Sequence, residues 1–190
     1  MTSLKFMLPL LFIFASCGIQ SIPRSVNQVE ADWAEVLNQY KRRSDLVPNL
    51  VETVKGYAAH EKETLEGVVE ARAKASQVTV DPSKLNPETL KNFENSQNNL
   101  TQALGKLMVV VEKYPDLKAN EQFRDLQAQL EGTENRIAIA RRRYIEAVKE
   151  FNNLVTVFPT NLTNSLFFKH EKKPQFTVTQ AETENPKVKF

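Results

Sequence analysis

The chain has 190 residues, with 25 lysine and arginine side chains against 23 aspartate and glutamate, so its formal net charge is +2. This length suits one domain, and so small a charge gives no basic field that would favour nucleic acid as a partner. One cysteine and two histidines cannot form an internal disulfide or a closed zinc site of the usual Cys/His kind. We therefore expect one folded body with no cofactor and no metal site of the Cys/His kind, and a carboxylate-based metal site remains open at this point. No metal ligand is predicted.

The N-terminus has the pattern of an export signal. An apolar run starts at Phe6, directly after Lys5, and its length of about ten residues is half of what a membrane-spanning helix needs. The run ends Phe-Ala-Ser before Cys17, the single cysteine, and this ending resembles the lipobox of bacterial lipoproteins. We interpret residues 1–16 as a lipoprotein signal peptide and residues 17–25 as a tether.

Lipidation of Cys17 would anchor the chain to a membrane, since a triacylated cysteine holds without further help. We expect the body to lie outside the cytoplasm, at the outer membrane or at the periplasmic face of the inner membrane. The alternative is that the N-terminal segment is an uncleaved anchor. A membrane is a partner in both cases.

Apolar residues in alternating steps of three and four predict a long first helix over residues 26–77. Pro48 lies inside this helix, where it removes the hydrogen bond to the Ser44 carbonyl. We expect a bend there, or a split that raises the helix count to four. Asn49 is a candidate to satisfy the backbone groups that the bend exposes.

Two further helices follow. Asn86 and Pro87 are typical of a helix start, as an N-cap and a first helical residue. A third helix is expected to begin near Asn120 and to end before Pro159. The connection around Pro115 is short, so these two helices should be antiparallel neighbours. The prediction is an all-α fold, an elongated antiparallel bundle of three long helices over residues 26–168.

The pattern stops after the third helix. Residues 169–190 are mostly polar and have no helical periodicity, so we predict a flexible tail. Just before it, Leu166, Phe167 and Phe168 are apolar and are candidates to dock on the bundle.

Four polar residues occupy positions of the apolar seam: Arg43, Glu61, Gln97 and Thr133. We favour hydrogen bonds that fix the helix register, and the alternative is a binding site inside the bundle. The candidate polar interaction or register cluster takes Arg43 from the seam and adds residues of the neighbouring motifs: Asp45, Pro48, Asn49, Glu134, Asn135, Arg136 and Arg141.

Signs of catalysis are weak. The chain has no pair of histidines at metal-binding helical spacing and no phosphate-binding glycine loop, and no nucleophile lies beside a convincing base. We therefore expect a protein that is not an enzyme, and a hydrolase is the least supported alternative.

Three ordered blocks then give a family resemblance. Residues 38–61 read NQYKRRSDLVPNLVETVKGYAAHE, residues 114–120 read YPDLKAN and residues 131–144 read EGTENRIAIARRRY. Together they resemble the motifs of the LemA family. The resemblance implies a membrane-anchored, elongated antiparallel helical bundle with its N-terminus at the membrane, and it implies no catalytic residues and no cofactor.

Two classes of function remain. The preferred one is an envelope lipoprotein whose helical bundle binds an unidentified envelope or membrane protein through its helix faces. The alternative is a ligand or peptide sensor, or an accessory subunit of an envelope enzyme. That alternative predicts a concave polar site near Arg43, Glu134 and Arg141.

Overall fold

A computed structural model describes residues 3–78, 80–82 and 85–176, with side chains described from residue 19 onward. Throughout this part of the chain the fold is helical and contains no strand, which confirms the predicted all-α class. The helices are α1 (Ser3–Lys55), α2 (Lys62–Gln77), α3 (Pro87–Val111), α4 (Pro115–Ala119), α5 (Glu121–Thr156) and α6 (Thr160–Thr163), followed by a π-helical turn (Asn164–Phe168).

Helices α1 and α5 form the main pair of the bundle. They are antiparallel, because Arg43 pairs with Glu134 at 2.8 Å while Tyr57 accepts a hydrogen bond from Asn120 at 3.0 Å. Helix α2 turns back along the second half of α1, and α3 packs on α2. The four long helices therefore surround a common core.

The first predicted helix is wrong in one respect. Helix α1 continues through Pro48 without a split, and the break lies at residues 56–61 instead. Pro48 is exposed, so its ring lies on the solvent side of the helix. Gly56 has low helix propensity and follows the last helical residue, and Ala58 in the turn is fully buried.

The predicted starts of the other two long helices are confirmed. The Asn86 side chain accepts a hydrogen bond from the Thr89 backbone N–H, and the Thr89 hydroxyl accepts one from the Asn86 backbone N–H, so the pair forms a reciprocal cap. Asn120 caps α5 by accepting a hydrogen bond from the Phe123 N–H at 2.9 Å. These caps satisfy donors that a helix start leaves free.

The apolar core has two parts. One cluster runs from Val47 to Val54 on α1 and includes the second half of α3 and the start of α5. The other runs from Ile22 to Tyr40 on α1 and includes the start of α3 and the second half of α5. The seam predicted from the sequence faces these clusters along α1, α3 and α5.

Both ends of the bundle differ from the prediction. Residues 17–25, expected as a tether, continue α1, and Ile22 is fully buried. Within the described part of the chain, no helix is long and apolar enough to cross a bilayer. The predicted tail is ordered as far as Phe176, which is buried, while residues 177–190 lie outside the described part. Leu166 and Phe167 are exposed rather than docked.

Candidate functional site

Buried polar residues divide the two apolar clusters. They lie at one level of the bundle, since Arg43 on α1, Gln97 on α3 and Thr133 on α5 each fall between the two clusters of their own helix. We call this set, together with Glu134, the polar layer. Three of the four polar seam positions are therefore brought together. The fourth, Glu61, lies in the turn between α1 and α2.

Arg43 is the centre of the polar layer, and only 1% of it is exposed. Its Nη1 donates to Glu134 Oε1 at 2.8 Å and to Thr101 Oγ1 at 3.0 Å. Its Nη2 donates to the side-chain and backbone oxygens of Gln97, at 2.7 and 3.2 Å. The guanidinium also lies 5.0 Å from the centre of the Tyr40 ring, where the ring face favours a cation. One side chain thereby joins α1, α3 and α5.

The partners of Arg43 differ in exposure. The Glu134 side chain is 42% exposed, so its carboxylate remains partly solvated, and the ion pair has less to lose by desolvation than a fully buried one. Gln97 is buried, and its Nε2 donates to the Ala75 carbonyl at 3.3 Å. Gln97 thus connects Arg43 to the end of α2.

A second ion pair lies beside the first. Arg141 on α5 reaches Glu94 on α3 at 3.3 Å, and its guanidinium lies 4.6 Å from the centre of the Phe176 ring. Burial raises the pKa of the Tyr40 hydroxyl above its ordinary value of 10.0, and the positive charges of Arg141 and Arg43 oppose that rise. Tyr40 therefore lies within the influence of both ion pairs.

The C-terminal segment packs against α5 and α1 beside the second ion pair. The Tyr144 hydroxyl donates to the Pro174 carbonyl at 3.1 Å, and Asn152 exchanges two hydrogen bonds with the Lys173 backbone, at 2.9 and 3.0 Å. Phe176 packs with Trp33 and Tyr144 at ring-centre distances of 5.8 and 5.4 Å. Residues 170–176 therefore form a strap that is fixed to α1 and α5.

A groove of about 490 Å³ opens next to the polar layer, between α1, α2 and the start of α3. Tyr40, Gln97 and Ser44 contribute to its wall, and Lys41 and Asp45 also line it. The two Nη atoms of Arg43 are engaged by Gln97, Thr101 and Glu134. Its Nε is buried without a hydrogen-bond partner, and Arg43 does not line the groove. The chemical role of the polar layer is to hold the helices together.

The structure brings only some residues of the predicted cluster together. Arg43 and Glu134 meet, whereas Arg141 pairs with Glu94. The remaining candidates are exposed on α1 or α5: Asp45, Pro48, Asn49, Asn135 and Arg136. Cys17 falls within α1, but its side chain is outside the described part.

Three residues that carry these contacts were not singled out from the sequence: Glu94, Thr101 and Phe176. A fourth is Arg72 on α2, whose Nε donates to the Ser44 carbonyl at 2.9 Å. Glu94 and Thr101 lie one turn before and one turn after Gln97 on α3, and the polar seam position could have drawn attention to them. Arg72 and Phe176 act across long sequence separations, and no local pattern marks them. In the described part of the chain, no three metal-ligating side chains lie together.

Comparison with known proteins agrees with these motifs. The model of the LemA family matches residues 32–190. A curated relative, Protein LemA of Metamycoplasma hominis, is 28% identical over 152 residues, which cover 80% of this chain and 66% of the relative. Two proteins of Paramagnetospirillum magneticum, Magnetosome protein MamQ 1 and MamQ 2, are each 37% identical over 59 residues, which cover 31% of this chain and 22% of theirs. The chain spans less than two thirds of the length of these relatives.

Proposed function

The chain belongs to the LemA family, and from that premise we propose that it is a membrane-anchored envelope lipoprotein whose helical bundle is a non-catalytic interaction scaffold. One observation supports the scaffold role: some residues of the family motifs form contacts inside the bundle, and others lie on its surface. Arg43 and Glu134 bond within the bundle, while Asp45, Asn49 and Arg136 are exposed. The first group fixes the helices and the second group is free to contact a partner.

Exposed motif residues of α1 and α5 share one level of the bundle near Lys41. Because Arg43 is opposite Glu134 and the two helices are antiparallel, Asn135 and Arg136 on α5 fall close to the level of Lys41 on α1. The residues there carry charges and amides on rigid helices, which gives a partner fixed positions for hydrogen bonds. We propose an envelope or membrane protein as that partner.

The proposed anchor is Cys17, lipidated after removal of residues 1–16. Helix α1 runs from this region into the core, so an anchor at Cys17 would hold the bundle directly at the bilayer. From residue 17 to Lys55 the helix rises about 57 Å at 1.5 Å per residue. The body would then extend away from the membrane, with the motif surface of residues 38–49 part of the way along it.

Fatty-acid labelling tests the anchor. The wild type, Cys17→Ala and the control Ser16→Ala are expressed in a bacterial host that processes lipoproteins, with fractionation and protease treatment of the spheroplasts. The proposal predicts that Cys17→Ala alone loses the label and that protease added from outside digests the body. An unlabelled wild type with a protected body would contradict it and favour an uncleaved anchor on a cytoplasmic protein.

Site-specific photo-cross-linking tests the scaffold surface. A photoreactive amino acid is placed at Asn135, and at Lys106 on α3 as an exposed control. We expect an adduct of one defined mass from position 135 in intact cells, lost when Arg136 is changed to Glu, and no such adduct from position 106. Equal cross-linking at both positions, or an adduct that is insensitive to Arg136→Glu, would count against a specific contact surface.

A ligand or peptide sensor is the second candidate, and the groove beside the polar layer is the observation that favours it. Ser76 lies in the wall of the groove, and its hydroxyl is 2.9 Å from that of Ser44. Filling the groove by Ser76→Phe should abolish the activity of a sensor and leave the partner cross-link of a scaffold intact. The matched control is Gln102→Phe, at an exposed position on α3 away from the groove.

A further inference from the structure

An exposed apolar surface lies at the end of the bundle where α5 finishes. Phe158, Leu162, Leu166 and Phe167 are 70%, 54%, 72% and 65% exposed. Leu162 and Leu166 are four residues apart on consecutive helical turns, so they share a face. Large apolar side chains grouped in this way are uncommon on a soluble surface and mark a contact site. We call residues 157–168 the foot.

The foot is held in place by buried polar residues and by helix packing on its inner side. Thr163 and Asn164 are buried. The Asn164 side chain donates to the His170 carbonyl and accepts from the His170 N–H, both at 3.0 Å. Helix α6 also packs against both α1 and α5. The exposed side chains are therefore presented by a fixed element and not by a loose segment that has failed to dock.

The foot lies beside the point where α1 leaves the bundle toward its N-terminus. Ile22 on α1 and Val155 on α5 belong to the same apolar cluster, and α6 begins just after α5 ends. From there α1 continues back to Ser3. At this end of the molecule, the foot and the N-terminal segment are adjacent.

Charge is missing from both adjacent segments. No lysine, arginine, aspartate or glutamate occurs between Cys17 and Arg24, the part of this segment that remains after the proposed cleavage, and none occurs in residues 157–168. Basic residues follow immediately behind the foot at Lys169 and Lys172, both exposed, with one acid between them at Glu171. An uncharged apolar tip backed by a net positive rim matches a bilayer interface with anionic headgroups.

We propose that the foot inserts into the membrane interface, as a second contact besides the anchor, and that it binds lipid directly. The proposal rests on the membrane anchoring proposed above, which brings this end of the bundle to the bilayer. Phe158, Leu162, Leu166 and Phe167 enter the boundary between headgroups and acyl chains, and Lys169 and Lys172 meet lipid phosphates. Two contacts fix the orientation of the bundle, which attachment at the single point Cys17 cannot do.

Depth-dependent fluorescence quenching tests the foot. The full chain is purified from membranes as Phe167→Trp and, as a control, as Val109→Trp, which replaces a residue 65% exposed on α3 near the other end of the bundle. Each is reconstituted into phosphatidylcholine and phosphatidylglycerol vesicles with brominated acyl chains. The emission of Trp33, which is fully buried, is measured in the unsubstituted protein and subtracted.

We expect the tryptophan at position 167 to lose about half of its emission, because an interfacial side chain lies roughly 5–10 Å deep, and the one at position 109 to lose none. Flotation of the same vesicles separates the two proposals. Vesicles that carry the protein but quench both tryptophans equally would overturn the foot and leave the anchor standing. Protein that does not float would overturn both.

A protein occupant gives a different result. If position 167 is unquenched in pure lipid but its emission shifts to the blue in native membranes, a membrane protein covers the foot and the lipid proposal is wrong. A second variant, Leu166→Asp with Phe167→Asp, is expected to keep flotation through the anchor and to increase the digestion of the bundle by added protease, since the orientation is no longer fixed. The matched control, Val109→Asp, should leave digestion unchanged.

Discussion

Arg72 on α2 replaces a hydrogen bond that Pro48 removes from α1. In a continuous helix the Ser44 carbonyl accepts from the backbone N–H of residue 48, and proline has none. Here Arg72 Nε donates to the Ser44 oxygen at 2.9 Å. The carbonyl is satisfied from the neighbouring helix, which is consistent with α1 running through Pro48 without a break. The same bond ties α2 to α1.

A double-mutant cycle measures this relationship. Arg72→Leu should lower the free energy of unfolding by about 1 to 2 kcal/mol, because a carbonyl is left without its partner. In the Pro48→Ala background the backbone N–H is restored, and the cost of Arg72→Leu should fall by about 1 kcal/mol. Urea unfolding of the full chain in detergent gives both values. Equal costs in the two backgrounds would show that Arg72 does not compensate for Pro48.

Loss of Arg43 should destabilise the bundle more than loss of its neighbour. Arg43→Met removes four hydrogen bonds and leaves the buried side-chain oxygen of Gln97 without its donor, so we expect a loss of about 2 to 4 kcal/mol. Arg42→Met is the control, since Arg42 is exposed and its replacement should change stability by less than about 0.5 kcal/mol. Urea midpoints compare the two. A similar loss in both variants would exclude Arg43 as the centre of a structural layer.

Phe176 should hold the C-terminal strap. Phe176→Ala removes a buried ring that contacts Trp33 and Tyr144, at a cost of about 3 kcal/mol or less if only the strap detaches. Hydrogen exchange at His170 and Lys173 should accelerate, and Trp33 emission should shift to the red. Phe167→Ala, at an exposed position, is the control. Unchanged protection at Lys173 in Phe176→Ala would mean that the strap is held by other contacts.

Stability should fall in alkaline solution. Burial raises the pKa of both Tyr40 and Tyr144 above the ordinary value of 10.0. The unfolded state therefore releases these protons first, and stability that is fully present below about pH 10 is lost as the pH rises toward the folded-state pKa, at up to about 1.4 kcal/mol per pH unit and residue.

Substitution by phenylalanine should isolate this effect. Tyr144→Phe lacks the hydrogen bond to Pro174, so it starts less stable, but its urea midpoint should fall less steeply above pH 10 than that of the wild type. Tyr40→Phe keeps the ring beside Arg43 and should also reduce the slope. Identical slopes in all three proteins would contradict the burial of these hydroxyls.

The local patterns of the sequence predict the parts of the fold that depend on neighbouring residues. Alternating apolar steps locate the buried face of α1, α3 and α5, because helix periodicity is a local property. Asn86 and Asn120 mark helix starts for the same reason. The break at residues 56–61 is missed because the apolar steps continue across Gly56 and no proline is present.

Contacts between distant parts of the chain are the ones that the sequence does not predict. Arg43 is recognisable as a polar seam residue, but its pairing with Gln97 and Thr101 depends on how α3 is placed beside α1. The strap is polar and aperiodic, and Phe176 packs on Trp33 and Tyr144, which are distant from it in the chain. Asn49 was expected to satisfy the backbone near Pro48, whereas Arg72 does so from another helix.

The scaffold proposal is tested most directly by the cross-link from position 135, measured per folded molecule in Arg43→Met and in Arg136→Glu. If the polar layer only holds the helices, Arg43→Met should keep the cross-link at temperatures where the bundle remains folded. Arg136→Glu should lose it at unchanged stability. Loss of the cross-link in folded Arg43→Met, with retention in Arg136→Glu, would contradict the proposal and make the polar layer itself the binding site.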